Sequence, residues 1–272
     1  MVARSYGERV TIRARRGVVL ATGSFTYDEK MLGAHAPLLV GRPGSAVEEH
    51  DGLAVKLAQG LGAGVAHMDA SEVAVHMDPQ YLIRGIVVNG RGQRFVNEDT
   101  YPGRIGQAAL LKQDNETFLV LDEEGFEEAR RMSAAPEFLQ LRPSWVCGTA
   151  TELAAEMGLP AGALEATLDV YNRHAEDGRD PVLHKAGRWV RPLRGPLGAV
   201  DLRGQTSGFA LGGLTTDTDA RVLHVDGEPI PGLFAAGRAT AGIAAWGYAS
   251  GASLGDGSFF GRRAGVGAAA KP

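Results

Sequence analysis

Three apolar runs of this 272-residue chain break into glycine: "VVLATGSF" from Val18, "GLFAAGRATAG" from Gly232 and "GASLGDGSFFG" from Gly251. Glycine lets the backbone turn sharply and approach a ligand closely. A strand that delivers its amides into such a turn at the carboxyl end of a sheet is where α/β folds seat cofactors. The 38 glycines exceed the ordinary usage of ~7%, and they cluster in short turns after apolar runs without forming a repeat. That pattern points to an α/β protein with ligand-facing loops. In the third stretch, Ser253 to Gly257 lead into a helix-like "SFFGRRAG", whose free N–H groups and positive dipole end suit an anion or an electron-rich carbonyl.

With 44% hydrophobic and 22% charged residues, the chain is globular and long enough to bury a sizeable core. Its formal charge of -4 is spread along the whole length, which leaves no basic stripe for nucleic acid and no polybasic patch for a membrane. Small molecules are the expected partners. Cys147 is the only cysteine, so intrachain disulfides and cysteine-rich metal sites are excluded and a reducing, cytoplasmic compartment is expected. Nothing beside Cys147 would activate a thiolate. His67 and His76 lack ligand spacing, so no metal is expected. No apolar stretch approaches the ~20 residues that span a bilayer, and the start lacks the apolar core of a signal peptide.

Alternation from Val10 to Arg15, a turn at Arg16-Gly17 and the apolar run 18–21 predict a hairpin-like pair with a buried second strand. Asp28 opens a short helix. Leu53, Leu57, Ala58 and Leu61 then keep one helical face that Gly62 ends. "GIVVNGRGQRFVNE" predicts two strands joined at Asn89-Gly90. Helices follow from "GRIGQAALL", "DEEGFEEARRM", "TATELAAEMG" with a Thr149/Glu152 capping box, and "PAGALEATLDVYNRHAED" with Pro160 in its first turn. Asp201 and Asp256 read as turn residues. Strand-like pieces return from Phe209. This order predicts a middle domain, 56–205, inserted between two pieces of another domain, 1–55 and 206–272.

In this order, "VVLATGSF", "DGLAVKLAQGLGAG", "GIVVNGRGQRFVNED" and "PGLFAAGRATAG" resemble the FAD-dependent fumarate reductase/succinate dehydrogenase and 3-ketosteroid dehydrogenase superfamily, over nearly the whole chain. The resemblance implies an α/β (α+β) fold, with a partial FAD-binding domain interrupted by a cap or catalytic domain. It places Ala21, Thr22 and Gly23 against FAD, Gly237 and Arg238 near its ribityl-pyrophosphate side, and Ser253 and Leu254 at the pyrimidine edge of the flavin. There the helix start would stabilise negative charge at N1/O2. The family's Gly-x-Gly-x-x-Gly turn is not found in the first fifty residues. A missing N-terminal FAD-binding half, an uncovered apolar face and weak FAD binding by this chain alone are therefore expected.

Fumarate reductases follow the same hairpin with a Thr-Thr-Arg run whose arginine is the acid. Here the segment reads Asn97-Glu98-Asp99-Thr100-Tyr101-Pro102-Gly103-Arg104. Proline in the arginine's place disfavours dicarboxylate reduction, although Arg104 can still pair with a carboxylate. Tyr101 and Tyr248-Ala249-Ser250-Gly251 resemble the 3-ketosteroid dehydrogenases instead, and the Tyr-x-Ser spacing is similar to enzymes that desaturate C4–C5. Removing hydrogens from adjacent carbons beside a ketone needs donors on the carbonyl oxygen, a base for the α proton and a hydride acceptor at flavin N5. By resemblance, Tyr248 and the Gly251 amide serve the ketone of a ketosteroid, and Tyr101 and Ser250 the proton, or the reverse. Tyrosine, with a reference pKa of about 10, needs neighbouring donors to act as that base. Trp246 reads as a pocket wall or core residue. The alternatives are a fumarate reductase-like flavoprotein acting on a carboxylate, and a non-catalytic fragment or subunit that needs a complementary N-terminal half.

Overall fold

A computed structural model describes residues 2–5, 8–134, 142–244 and 247–270; Trp246 lies outside them. The chain forms two compact units, Met1–Glu72 with Gly208–Pro272, and Val73–Ser207. The sequence divisions at 55/56 and 205/206 differ from these. Residues 56–72 cluster with the first unit, where β4 (Val65–Ala66) pairs with a strand from the far end of the chain, Ala66 opposite Gly213.

In the first unit β1 (Val2–Ser5) and β2 (Glu8–Thr11) form an antiparallel hairpin with Val2 opposite Thr11. The expected hairpin partner was 18–21, and this is corrected. The strand there, β3 (Val18–Leu20), pairs in parallel with a segment around Leu233. Alternation reports which face of a strand is buried and not which strand lies beside it. Asp28 caps α1 (Glu29–His35), accepting from the amides of Lys30 and Met31 at 3.0 Å each.

The helix α2 (Leu53–Gln59) corrects a second expectation. It buries Ala54, Val55 and Ala58, while Leu53, Leu57 and Leu61 are 45%, 52% and 61% exposed. Its small-residue face packs inward and its leucine stripe faces out. The chain leaves this unit within β5 (Ser71–Val75).

The second unit holds α3 (Pro79–Leu82), β6 (Ile86–Asn89), α4 (Pro102–Lys112), β7 (Thr117–Asp122), α5 (Glu123–Met132), β8 (Trp145–Cys147), α6 (Ala150–Glu156), α7 (Ala163–Ala175) and β9 (Leu197–Asp201). Its antiparallel sheet has the order β6-β7-β9-β8. Successive side chains point to opposite faces, and helices cover both. Ile86, Val88, Phe118 and Val120 pack with Leu153, Leu164 and Leu168 on one side. Val87, Leu119 and Leu121 pack with Tyr81, Ile105 and Ala129 on the other.

The turn after β6 forms, with Asn89 Oδ1 accepting from the amides of Arg91 and Gln93 at 2.9 and 3.1 Å. Its return arm, expected as a strand, makes only a single bridge, Val88 to Arg94. The capping box is present, with Glu152 N to Thr149 Oγ1 at 3.2 Å and Thr149 N to Glu152 Oε2 at 3.1 Å. Pro160 precedes α7, which starts after Gly162 at φ +77°. Asp201 closes β9.

The chain returns within β10 (Thr206–Ala210) and continues in the first unit as β11 (Gly213–Leu214), β12 (Arg221–Leu223), β13 (Pro229–Ala235) and α8 (Ala252–Ala269). The sheet here has the order β12-β13-β3. Phe234, Ala220 and Ala236 pack against Ala264, Phe260 and Ala268 of α8. No helix among the described residues is long and apolar enough to cross a membrane.

Candidate functional site

The first unit contains a cavity of about 620 Å³. Its walls are the end of β3 and the loop after it (Val19, Ala21, Thr22, Gly23), the approach to α2 (Val47, Glu49, His50), the end of β13 and beyond (Ala236, Gly237, Arg238), and α8 (Gly257, Gly261). Parallel pairing brings the two glycine-ended strands together: Leu20 lies opposite Ala235, so their terminal turns emerge side by side. The Thr22 hydroxyl accepts the Ala54 amide at 3.2 Å, tying this turn to α2.

Much of the wall is bare backbone. A Cβ on Gly237 or Gly261 would meet nothing within 4 Å, and one on Gly257 would face Gly237 Cα at 3.6 Å. A planar, polar molecule can therefore lie directly against main-chain atoms. Arg238 bridges the region: its guanidinium donates to Ala210 O at 2.8 Å and to Ser253 Oγ at 3.4 Å, and lies 5.1 Å from the Phe209 ring centroid. Burial lowers its pKa, partly offset by Tyr248 and Asp256. Its Nε is buried with no hydrogen-bond partner among the described residues, a donor awaiting an acceptor.

Ala21, Thr22, Gly23, Gly237 and Arg238 thus all line one cavity, and Ser253 joins it through Arg238. Leu254, in the first turn of α8, is 78% exposed. That helix starts at Ala252, after Gly251 at φ +92°, so Ser253 and Leu254 belong to its first turn and do not precede it. Tyr248 stands edge-on to Phe209 with ring centroids 5.4 Å apart. Ser250 is exposed just before α8. Tyr101 belongs to the other unit, as the half-buried residue that precedes α4, and Arg104 is exposed on that helix.

Asp256, expected in a turn, is a buried residue of α8. Its Oδ1 accepts the Ile243 amide at 3.4 Å, which ties Ile243 to α8. His50 is not singled out by the sequence, and Gly257 and Gly261 are marked only as part of the glycine-rich stretch that begins at Gly251. The histidines form no cluster in the sequence, and the α8 glycines look like ordinary punctuation until the helix places them on one face.

The motif after β6 has a structural task. Arg94 donates to Glu98 at 2.7 and 3.0 Å and to Asp180 at 3.0 Å, and Lys185 Nζ lies 3.4 Å from Glu98. Two cations and two anions close a buried network in the second unit. Burial alone would raise the Asp180 pKa, but Arg94 and the amides of Leu183 and Lys185 outweigh it and hold the carboxyl below its ordinary range. Burial pushes Tyr171, whose ring lies 4.8 Å from the Arg94 guanidinium, up to about 12.

Cavity, glycine cradle and interrupted chain define a nucleotide-cofactor protein. Residues 1–254 match the family model described as "FAD binding domain", and the chain belongs to that family. A solved structure similar to it is the 3-ketosteroid-delta4-(5alpha)-dehydrogenase of Rhodococcus jostii RHA1 in complex with 4-androstene-3,17-dione. That protein is 61% identical, with a TM-score of 0.96, over 99% of this chain and 56% of its own. The 3-ketosteroid delta1-dehydrogenase of Sterolibacterium denitrificans is 26% identical with a TM-score of 0.80, over 99% of this chain and 56% of its own. The NADH:fumarate oxidoreductase of Klebsiella pneumoniae (strain 342) is 29% identical over 92% of this chain and 28% of its own length. The chain thus spans about half of the two solved proteins and less of the third.

Proposed function

We propose that this chain carries the substrate-facing and part of the cofactor-facing surface of an FAD-dependent oxidoreductase that removes two hydrogens from adjacent carbons beside a ketone, with a 3-ketosteroid as substrate and C4–C5 as the bond. The observation that carries this reading is the 61% identity over 99% of the chain to the Rhodococcus enzyme. On this reading the first unit is the FAD-binding part and the second is the cap.

The cavity's bare glycine backbone and the orphaned Arg238 Nε suit FAD, with Ala21, Thr22, Gly23, Gly237, Arg238 and Ser253 as its holders and Leu254 at its edge. Bound FAD supplies the hydride acceptor. The chain's own residues do the rest. Tyr248 O–H and the Gly251 N–H donate to the ketone oxygen, which draws electrons from the adjacent carbon and makes its C–H acidic. Tyr101 and Ser250 then carry the proton away.

Full-length active protein tests this. A 3-ketosteroid saturated at C4–C5 is expected to turn over, and fumarate with reduced flavin is not. Tyr101→Phe and Tyr248→Phe are each expected to lower kcat by about 10²-fold or more, the ordinary scale of positioned acid–base catalysis. Unchanged turnover in both variants overturns the assignment, and faster reduction of fumarate moves it to the carboxylate class. The exposed leucine stripe of α2 favours a second reading, in which the chain works only beside a complementary polypeptide that covers it. Supplying such a dinucleotide-binding segment is then expected to tighten FAD binding, and no change would argue against it.

A further inference from the structure

His50 stands on the cavity wall with a chain of hydroxyls behind it. Its Nδ1 is 3.1 Å from Ser24 Oγ, and Ser24 Oγ is 2.8 Å from Thr26 Oγ1. The Ala210 amide donates to Thr26 Oγ1 at 3.1 Å. Ser24 and Thr26 are buried, so each hydroxyl proton must be spent on an acceptor. One order uses them all: Thr26 donates to Ser24, and Ser24 donates to His50 Nδ1. The ring proton then resides on Nε2.

The ring itself abuts Gly23. A Cβ on Gly23 would run into His50 Cδ2 and Nε2, and Gly23 sits at φ +86°, where only glycine is at ease. Nε2 has no hydrogen-bond partner among the described residues, and the ring lines the cavity. Burial and the Arg238 cation lower the imidazole's pKa, against an opposing pull from exposed Glu49. A neutral ring therefore stands on the wall of a cavity that the Arg238 side chain also lines.

We propose that His50 is a cofactor-contacting residue, which donates a hydrogen bond from Nε2 across the cavity to an oxygen of bound FAD, and that Ser24 and Thr26 are the positioning residues that fix its tautomer. This rests on the cavity being the FAD seat. Neither sequence motif nor resemblance assigns His50 a role; the relay and the Gly23 contact do.

The test is a titration of the full chain with FAD, read by flavin fluorescence and by ¹⁵N NMR of its histidines. Without FAD, His50 is expected as the Nε2–H tautomer, and Ser24→Ala is expected to shift the population toward Nδ1–H. On adding FAD, the His50 Nε2 signal is expected to move. His50→Leu is expected to weaken FAD binding about tenfold, which corresponds to ~1.4 kcal/mol. His50→Gln, whose amide reaches the Nε2 position, is expected to stay within about threefold of the native chain. If FAD binds while the Nε2 signal stays still and His50→Leu binds within about twofold, this role is overturned and the FAD seat stands. If FAD is taken up neither by the native chain alone nor by the chain supplied with a complementary dinucleotide-binding segment, and no cavity signal moves, the seat fails and the role of His50 with it.

Discussion

The two units solve the problem of burial differently. In Val73–Ser207, both faces of the four-stranded sheet are covered, Leu119 and Leu153 are fully buried, and even the charges of Arg94, Glu98, Asp180 and Lys185 are paired inside. The other unit leaves Val19, Leu53, Leu57, Leu61, Leu254 and Phe259 open to solvent, and lines its cavity with glycine backbone where side chains would otherwise fill it. Two-sided cover and internal charge pairing hold the sheet of Val73–Ser207 from within. The exposed apolar side chains and glycine-lined cavity leave the other unit with surface to spend on a ligand or on another polypeptide.

The sharpest way to break the contrast is inside the closed unit. Glu98→Ala removes the anion that holds Arg94, Lys185 and the Val87 amide, and leaves buried cations uncompensated. A loss of about 3–5 kcal/mol is expected, read as a shift in the urea midpoint. Acid should act on the same network. With its folded pKa depressed, Asp180 contributes stability that is fully present above the unfolded value of about 3.9 and lost as pH falls through the lower folded value. Unfolding midpoints that stay level below that pH contradict it.

In the open unit the large effect should fall on ligand binding instead. A side chain at Gly261 has nothing within 4 Å of its Cβ and enters the cavity. Gly261→Leu is therefore expected to weaken FAD binding by about tenfold or more, while stability holds or rises by roughly 0.5–1 kcal/mol because an α-helix loses a glycine. Destabilisation with FAD affinity intact would mean that α8 is packed there and the cavity is not the seat. The smallest effect is expected at Leu57→Lys, within about 0.5 kcal/mol of the native chain, since the leucine is already exposed. A larger loss would show that this stripe is covered in solution.

Legibility followed the range of the interactions. The Thr149/Glu152 cap, the Asp28 cap and the Asn89 turn are made by residues within four of one another, and each could be read directly. Five of the seven residues that the family resemblance places at the cofactor line one cavity, at the glycine-ended strands that carry that resemblance. The α2 face was misread because Leu53, Leu57 and Leu61 share the helical period with Ala54 and Ala58, and hydrophobicity alone ranks leucine as the one to bury. Asp256 read as a turn residue because aspartate and glycine resemble loop composition, whereas α8 runs straight through it.

The sequence by itself determined the local caps and turns, the glycine-ended strands and the family to which they belong. These depend on side chains acting on their own backbone nearby. Tertiary structure alone decided that Val18 would pair with Leu233, that α2 would turn its alanines inward, and that His50 would stand over Gly23 with Ser24 and Thr26 behind it. Those outcomes depend on which distant surfaces meet, and contact between distant surfaces is set by packing and loop closure, which leave no period in the chain.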